Sequence, residues 1–327
     1  MAVRTLIDAI RETLADEMRR DQTMIVLGED VGRKGGVFLA TDGLYDEFGA
    51  DRVIDTPLTE SLIVGASIGA SVNGLRPVPE IQFADFIFPA FNQIVSEAAR
   101  LRYRSNGTFS CPITIRAPFG GGVHGALYHS QSVEAFFAHV PGLKVVVPST
   151  PYDARGLLRT SIRDDDPVLF LEHKKLYRSV RGEVPDTDYT VPLGRAQITR
   201  PGDHITVVAY GLMAHHALEA AELVAAEGIS VEVIDLRTLR PLDRETLLGS
   251  VRKTGKCLVV YEDNRFGGYG AEVAAVVAEE AFDYLDGPVV RVAGPDVPGV
   301  PYAHPLEDWF MIDPDRIADA IRRLAAY

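Results

Sequence analysis

Two titratable side chains, Glu60 and His129, stand where either could take part in acid–base chemistry. Glu60 directly precedes a run of small and apolar residues that predicts a helix, so its carboxylate would lie at the helix N-terminus. Such a carboxylate is ordinarily explained by its favourable interaction with the helix dipole, which stabilises the helix by roughly 0.3–1 kcal/mol. His129 lies in a polar segment beside glycines, where a histidine is either catalytic or merely exposed. From the local sequence alone, both interpretations of each residue stay open.

A glycine-rich loop at residues 120–125 (GGGVHG) has the spacing G-x-G-x-x-G after a predicted strand. A dinucleotide-binding fold needs a helix to begin there and an acidic residue about 20 positions on, at a strand end. Here the loop continues through polar residues, and the next strand ends in Val147 and Pro148. A second glycine cluster at residues 267–270 fails because Val273 takes the third glycine position. These loops argue against a nicotinamide-binding dehydrogenase and favour close approach of backbone to a ligand or another chain.

Several other classes of protein are disfavoured by what the sequence lacks. No serine lies in a G-x-S-x-G elbow, and no His, Cys and carboxylate residues have zinc-ligand spacing. Cys111 and Cys257 are far apart and form no disulfide framework, which indicates a reducing compartment. The net charge of −13 argues against a nucleic-acid partner, because such proteins carry a basic face.

We expect the first residues to belong to the fold rather than to a targeting signal. Thr5 and Asp8 have the spacing of a capping box, and apolar residues then recur at helical intervals. The most membrane-like stretch, residues 61–75, is too short to span a bilayer. We therefore expect no membrane association and a cytoplasmic location.

Short apolar, β-branched segments alternate with helical patterns along the chain, which predicts an α/β fold with mainly parallel sheets covered by helices. The alternation lapses at residues 174–203, which are rich in charge, proline and glycine and have the composition of a linker. A second α/β series begins at residue 205. We predict two α/β domains, residues 1–185 and 186–327. In the first series the predicted strands are 24–27, 78–83, 113–116, 143–147 and 168–171, and the predicted helices are 61–72, 89–104 and 152–162.

Four longer motifs follow one another along the chain: DTPLTE at 55–60, EIQFADFIFPAF at 80–91, GALYHSQS at 125–132 and DLRTLRP at 235–241. Several long motifs in one order are more specific than any single spacing. Together they resemble the beta subunits of the first, decarboxylating component of thiamine-diphosphate-dependent 2-oxo acid dehydrogenases. The second motif is closest to the branched-chain type, with the pyruvate and acetoin types as alternatives.

The resemblance implies a transketolase-like pyrimidine-binding domain followed by a transketolase C-terminal-like domain. In this family thiamine diphosphate lies between an alpha and a beta subunit of an α2β2 heterotetramer. The alpha subunit holds the diphosphate and its Mg²⁺ through a Gly-Asp-Gly motif. This sequence contains no Gly-Asp-Gly, so the chain would supply only the aminopyrimidine side of the cofactor site.

By the same resemblance, Glu60 is the carboxyl group that hydrogen-bonds to the cofactor's pyrimidine ring nitrogen and activates its amino group. Burial suits this role, because it raises a carboxyl pKa and favours proton sharing. Leu58, Gln82 and Phe86 would line the pyrimidine pocket with Glu60. Phe86 stands where branched-chain-type relatives often have tyrosine, so one hydroxyl contact would be lost. His129 would lie near the reacting carbon, for proton handling and acyl transfer to lipoamide.

The acidic segment at residues 161–167 (SIRDDDP) matches a family loop that binds a structural K⁺. Hard oxygen ligands suit such a cation. Asp166 stands where asparagine is common, and from the local sequence alone an acidic solvated turn is an equal alternative. The matching positions are Ile113, Ser161, Ile162, Asp164 and Asp166.

The resemblance thus predicts the beta subunit of an enzyme that oxidatively decarboxylates a branched-chain 2-oxo acid such as 2-oxoisovalerate. The acyl group would pass to the lipoyl group of an acyltransferase core. A fragment of a transketolase-like or deoxyxylulose-phosphate-synthase-like enzyme would be expected to carry its own diphosphate motif, which argues against it. A non-catalytic scaffold subunit is the alternative from another class.

Overall fold

The computed structural model describes residues 2–327, which separate into two compact units. The first unit comprises the chain up to Phe119 together with Phe136–Leu193. The second comprises Gly120–Ala135 and Gly194–Tyr327. Both units are α/β with mainly parallel sheets, which confirms the predicted fold class.

The division of contacts differs in two places from the boundary predicted between residues 185 and 186. Residues just after 185 still pack on the first unit, where the Tyr189 hydroxyl donates to the Tyr152 carbonyl oxygen at 2.8 Å. The segment before Ala135 belongs to the second unit, where the Gly121 amide donates to the Glu262 carboxylate at 2.6 Å. Neither difference changes the local alternation of strands and helices, so the sequence pattern cannot reveal which unit these segments pack on.

No helix within residues 2–327 combines the length and apolar character needed to cross a membrane. The helices and strands have the following bounds. In the first unit they are β1 (Ala2–Thr5), α1 (Leu6–Arg20), β2 (Met24–Gly28), α2 (Leu44–Phe48), β3 (Val53–Asp55), α3 (Glu60–Val72), β4 (Arg76–Glu80), α4 (Leu101–Arg104), β5 (Thr114–Phe119), α5 (Glu134–Ala138, which starts in the second unit), β6 (Lys144–Val146), α6 (Pro151–Arg163), β7 (Val168–His173), α7 (Leu176–Ser179) and β8 (Arg181–Val184). In the second unit they are β9 (Gln197–Arg200), β10 (Ile205–Ala209), α8 (Leu212–Ala225), β11 (Val231–Asp235), β12 (Thr238–Arg240), α9 (Arg244–Thr254), β13 (Cys257–Asn264), α10 (Gly270–Glu280), β14 (Val290–Gly294), α11 (His304–Phe310) and α12 (Pro314–Ala325).

The main sheet of the first unit runs in the order β6-β7-β5-β4-β2-β3, and each of these pairings is parallel. Strands β2, β5 and β7 are buried along their whole length, as expected for strands covered on both faces. Parallel strands end at one edge of a sheet, so the loops that follow β2, β3 and β4 lie side by side. This edge is where side chains from separate motifs can meet.

The helix predicted over residues 89–104 is not a continuous α-helix. It divides into a 3₁₀ turn at Phe88–Ala90, a π-helical segment at Gln93–Ala98 and the short α4. The Ala99 amide bonds to the Ile94 carbonyl oxygen, five residues back, at 3.0 Å. Apolar spacing over two turns does not separate an α-helical turn from the wider π-helical turn, so the sequence could not reveal this change.

The sheet of the second unit has the order β14-β13-β10-β11-β9, parallel except for the antiparallel pairing of β9 with β11. The segment interpreted as a linker, residues 174–203, contains α7, β8 and β9. Strand β8 pairs antiparallel with β1, almost the whole first unit away in sequence. These short strands are partly exposed, so they lack the apolar run by which the buried strands were recognised.

Candidate active site

Four predicted site residues follow neighbouring strands at the carboxyl edge of the first unit's sheet. Leu58 and Glu60 come after β3, whereas Gln82 and Phe86 come after β4. Strand β2 pairs with both β3 and β4, so the loop that starts at Glu29 lies between the other two. The topology therefore brings residues from the first two motifs to one edge, although 22 positions separate Glu60 from Gln82.

Glu60 is the first residue of α3 and is partly buried. Within residues 2–327 its carboxylate forms no hydrogen bond or ion pair with another side chain, although its charge acts on Glu29. Burial, and then the negative charges of Asp30 and Glu60, raise the pKa of Glu29. Because the Glu29 and Glu60 carboxylates repel each other, this site favours a ligand that can accept or share a proton.

The groups around Glu60 have the chemistry of a site for a flat, nitrogen-containing ring. Leu58 is 72% exposed, so its apolar side chain is available to pack against a ligand or a partner surface. Gln82 is half-buried, and its amide approaches the Glu29 carbonyl oxygen at 3.5 Å. A carboxyl group, an amide and apolar surface together supply hydrogen bonds and packing for such a ring.

The ring of Phe86 is held by a chain of aromatic contacts. Phe83 meets it edge-on with ring centroids 5.7 Å apart, and Phe38 meets Phe83 edge-on at 5.4 Å. Phe38 also contacts Tyr177 at 5.1 Å. Offset and edge-on contacts of this kind fix ring orientation, so Phe86 offers a positioned aromatic face.

Tyr177 connects this aromatic chain to a buried ionic network that the sequence analysis missed. Arg116 is fully buried and bonds to both oxygens of Glu172 at 2.7 and 2.8 Å, and to Glu80 at 2.6 Å. The Tyr177 hydroxyl donates to Glu172 at 2.6 Å. Burial raises the pKa of Glu80, and the Arg116 charge opposes that rise. The signal was present, because a charged residue inside an apolar strand run predicts a buried pair.

His129, the fifth predicted residue, belongs to the second unit and lies on the loop Gly120–Ala135. Its amide approaches the Ala126 carbonyl oxygen at 3.4 Å, and its side chain is half-buried. Two buried carboxylates hold this loop. Glu262 accepts from the Gly121 amide at 2.6 Å, and Glu307 accepts from the Gly122 amide at 3.0 Å.

A buried acidic group stands at the end of the same loop. Glu134 is fully buried, and the Tyr210 hydroxyl donates to it at 2.7 Å. Burial, reinforced by the negative charges of Asp263 and Glu262, raises the pKa of Glu134 to about 8. Burial also raises the pKa of Asp263. Glu134 and Asp263 therefore favour a state in which one of them holds a proton over a state in which both are charged.

The predicted cation loop is held by two basic side chains. The guanidinium of Arg76 donates to the Ile162 and Asp164 carbonyl oxygens at 2.8 and 2.7 Å. The Asp164 carboxylate accepts from Lys144 at 2.6 Å. No group of three or more His, Cys, Asp or Glu side chains in the described part of the chain could hold a metal ion. A carbonyl oxygen has two lone pairs, so the hydrogen bond from Arg76 leaves each of these two oxygens a second lone pair.

The remaining predicted cation ligands lie in the same loop or beside it. The Ile113 carbonyl oxygen accepts from the Val168 amide at 3.0 Å, and that of Ser161 accepts from the Asp164 amide at 3.2 Å. Asp166 pairs with Arg102 at 2.5 Å. The chemistry of the set therefore fits a cation bound through main-chain oxygens better than one bound through carboxylates.

Comparison with known proteins shows what this architecture belongs to. Residues 3–180 match the family described as "Transketolase, pyrimidine binding domain", and residues 194–317 match "Transketolase, C-terminal domain". Among solved structures, "Split gene transketolase, inactive beta4 tetramer" superposes with a TM-score of 0.80 at 26% identity, covering 98% of each chain.

Curated relatives are similar over nearly the whole chain. The chain is 58% identical to 2-oxoisovalerate dehydrogenase subunit beta of Bacillus subtilis (strain 168), covering 100% of both chains. It is 51% identical to pyruvate dehydrogenase E1 component subunit beta of the same organism, covering 90% of this chain and 91% of that one. The corresponding subunit of Acholeplasma laidlawii is 48% identical over 99% of each chain. With matches of this extent, and with both transketolase-type domains present, the chain belongs to the family of beta subunits of thiamine-diphosphate-dependent 2-oxo acid dehydrogenases.

Proposed function

We propose that this chain is the beta subunit of a branched-chain 2-oxo acid dehydrogenase that acts on 2-oxoisovalerate and similar acids. Its identity to the 2-oxoisovalerate-type relative is 58%, against 51% to the pyruvate-type relative. The enzyme would oxidatively decarboxylate its substrate and acylate the lipoyl group of an acyltransferase core. The alternative substrates are pyruvate and acetoin.

The observation that carries the proposal is that Leu58 and Glu60 follow β3, and Gln82 and Phe86 follow β4, at one edge of the sheet, where the charge of Glu60 acts on Glu29 and the Gln82 amide approaches the Glu29 carbonyl oxygen. This set fits the aminopyrimidine of thiamine diphosphate, which when bound supplies the nucleophilic carbon for decarboxylation. Glu60 would hold a proton against the pyrimidine ring nitrogen. Phe86 would pack on the ring face, and Leu58 would lose its exposure against the cofactor or the partner subunit.

An alpha subunit has to complete this site. Gly-Asp-Gly does not occur in the sequence, so the chain lacks the motif by which the family holds the diphosphate and Mg²⁺. We therefore infer an α2β2 heterotetramer in which this chain binds only the pyrimidine side. His129, on the second unit, would handle protons and assist acyl transfer to the lipoyl group.

We also propose that the loop of residues 161–166 binds K⁺ through the main-chain oxygens of Ile113, Ser161, Ile162 and Asp164, with Asp166 beside them. The support is the spare lone pair on each carbonyl oxygen. Arg76 pairs with Asp165 at 2.9 Å and Lys144 with Asp164 at 2.7 Å, and this neutralisation of the local acids favours a singly charged cation over a divalent one.

The test replaces Glu60 with glutamine in the enzyme assembled with its alpha subunit. Glutamine keeps the size of the side chain but cannot share a proton with a ring nitrogen, so turnover should fall by about 10²–10⁴-fold. Glu272→Gln is the matched control, because Glu272 is an exposed glutamate in the first turn of α10. Full turnover by an intact Glu60→Gln assembly would favour the scaffold interpretation. Comparing kcat/KM for 3-methyl-2-oxobutanoate and pyruvate then decides the substrate.

A further inference from the structure

The loop Gly120–Ala135, which carries His129, contains several residues in an unfavourable backbone conformation. Its residues Gly120, Gly122, His124 and Ala126 all have positive φ, between 55° and 84°. Glycine adopts this conformation freely, but His124 and Ala126 do so at a cost of about 1 kcal/mol or more each. Such a loop keeps its shape only if surrounding groups determine it.

Two buried carboxylates of the second unit hold the loop in this shape by accepting hydrogen bonds from its main chain. Glu262, at the end of β13, accepts from the Gly121 amide at 2.6 Å and from the Ser132 hydroxyl at 3.4 Å, and so joins both ends of the loop. Glu307, in α11, accepts from the Gly122 and His124 amides at 3.0 and 3.2 Å. Loss of the acceptor leaves the buried Gly121 amide unpaired in one case and removes two part-buried hydrogen bonds in the other, so removing either carboxylate should loosen the loop.

The second carboxylate also meets the side chain of the loop. The Nδ1 atom of His124 contacts the other oxygen of Glu307, and the ring of His304 packs against that of His124 with centroids 3.6 Å apart. Glu307 is 1% exposed. One buried carboxylate thus contacts both the main chain and the side chain of His124, one of the two non-glycine residues of the loop with positive φ.

Glycines in the loop and facing it allow close packing of the main chain. A Cβ atom added at Gly125 would lie 2.7 Å from the His129 carbonyl oxygen, and one added at Gly299 would lie 2.1 Å from Leu127. One added at Gly121 would lie 2.8 Å from the sulfur of Met311. The main chain of His129 is therefore packed against Gly125, so a shift of the preceding residues would be transmitted to His129.

We propose that Glu262 and Glu307 are positioning residues, which hold the loop so that His129 stands in place for acyl transfer to the lipoyl group. The proposal rests on the role proposed above for His129. Neither glutamate needs to touch substrate, because each acts through loop amides. A misplacement of about 1 Å can reduce a catalytic rate by roughly 10²-fold, so a loosened loop should have a large effect.

The experiment uses the assembled enzyme with Glu262→Ala, Glu307→Ala, Glu307→Gln and the control Asp308→Ala. Asp308 is the exposed neighbour of Glu307 on α11. Amide hydrogen exchange is measured for peptides covering residues 120–135. Turnover is measured with a lipoyl acceptor and with an artificial dye acceptor that bypasses the lipoyl group.

The alanine variants should speed loop exchange by about tenfold or more. Glu307→Gln, which keeps a carbonyl acceptor, should restore much of the protection.

In the alanine variants, lipoyl-coupled turnover should fall far more than dye-coupled turnover. Combining either variant with His129→Ala should add little to the loss caused by His129→Ala alone. Unchanged loop exchange would overturn the proposal, as would fully retained lipoyl-coupled turnover where His129→Ala abolishes it. If His129→Ala leaves both rates intact, the role given to His129 is wrong, and the exchange result alone decides whether the carboxylates hold the loop.

Discussion

Replacing Arg116 with methionine should be among the most destabilising single changes in the first unit. The guanidinium makes three hydrogen bonds, two to Glu172 at 2.7 and 2.8 Å and one to Glu80 at 2.6 Å. Arg116 and Glu172 have no exposed side-chain surface, and Glu80 has 5%. Methionine is unbranched like the arginine stem, but it is shorter and uncharged, so it leaves two carboxylates buried without a counter-charge. Removing one partner of a buried pair costs about 3–5 kcal/mol, and here two anions are stranded. We expect a loss near 5 kcal/mol at pH 8.

The loss should depend on pH with a defined sign. Burial raises the pKa of Glu80 even with Arg116 present, and without the opposing charge that rise becomes larger. A group whose folded pKa is raised favours folding when protonated, so its stabilising contribution is lost as pH rises through the folded pKa. The deficit of Arg116→Met should therefore shrink as pH falls from 8 toward 5.

The assay is urea unfolding of the assembled enzyme at pH 5.5 and pH 8, compared as differences in the free energy of unfolding. Arg195→Met is the control, because Arg195 and Glu245 form an exposed pair with 60% and 85% of their side chains accessible. Such a pair contributes about 0–1 kcal/mol. Adding Glu80→Gln and Glu172→Gln to Arg116→Met should recover part of the stability, because the stranded charges disappear. A deficit below about 1 kcal/mol at pH 8, or one that does not change with pH, would refute the reasoning.

Two further predictions follow from the same physical chemistry. Burial raises the pKa of Glu134 from 4.5 to about 8, so its stabilising contribution is complete below pH 4.5 and is lost as pH rises through 8. Glu134→Gln should therefore gain stability relative to the native chain between pH 6 and pH 9, measured as the change in Tm, and parallel pH profiles would contradict this. Replacing K⁺ by tetramethylammonium at constant ionic strength should lower the Tm of the assembled enzyme by several degrees. Equal Tm values in the two salts would argue against the cation site at residues 161–166.

Much of the fold could be predicted because its signals are local. Strands β2 and β7 were predicted to begin at Met24 and Val168, where the structure begins them, since each starts as a short apolar run. The start of α3 was predicted to within one residue, which placed Glu60 at a helix N-terminus. The short strands β8 and β9 were missed, because their pairing partners are distant or their faces exposed.

The sequence by itself determined which residue types stand in the long motifs, and through them the family and the proposed roles of Glu60, Gln82, Phe86 and His129. Only the tertiary structure decided what those residues are held by. The pairing of β2 with both β3 and β4 brings the first two motifs to one edge. The loop that carries His129 donates its Gly121 and Gly122 amides to Glu262 and Glu307, more than 130 positions away in the sequence. Periodicity reports only near neighbours along the chain, whereas a buried charge is stable only beside a partner that the fold delivers from afar.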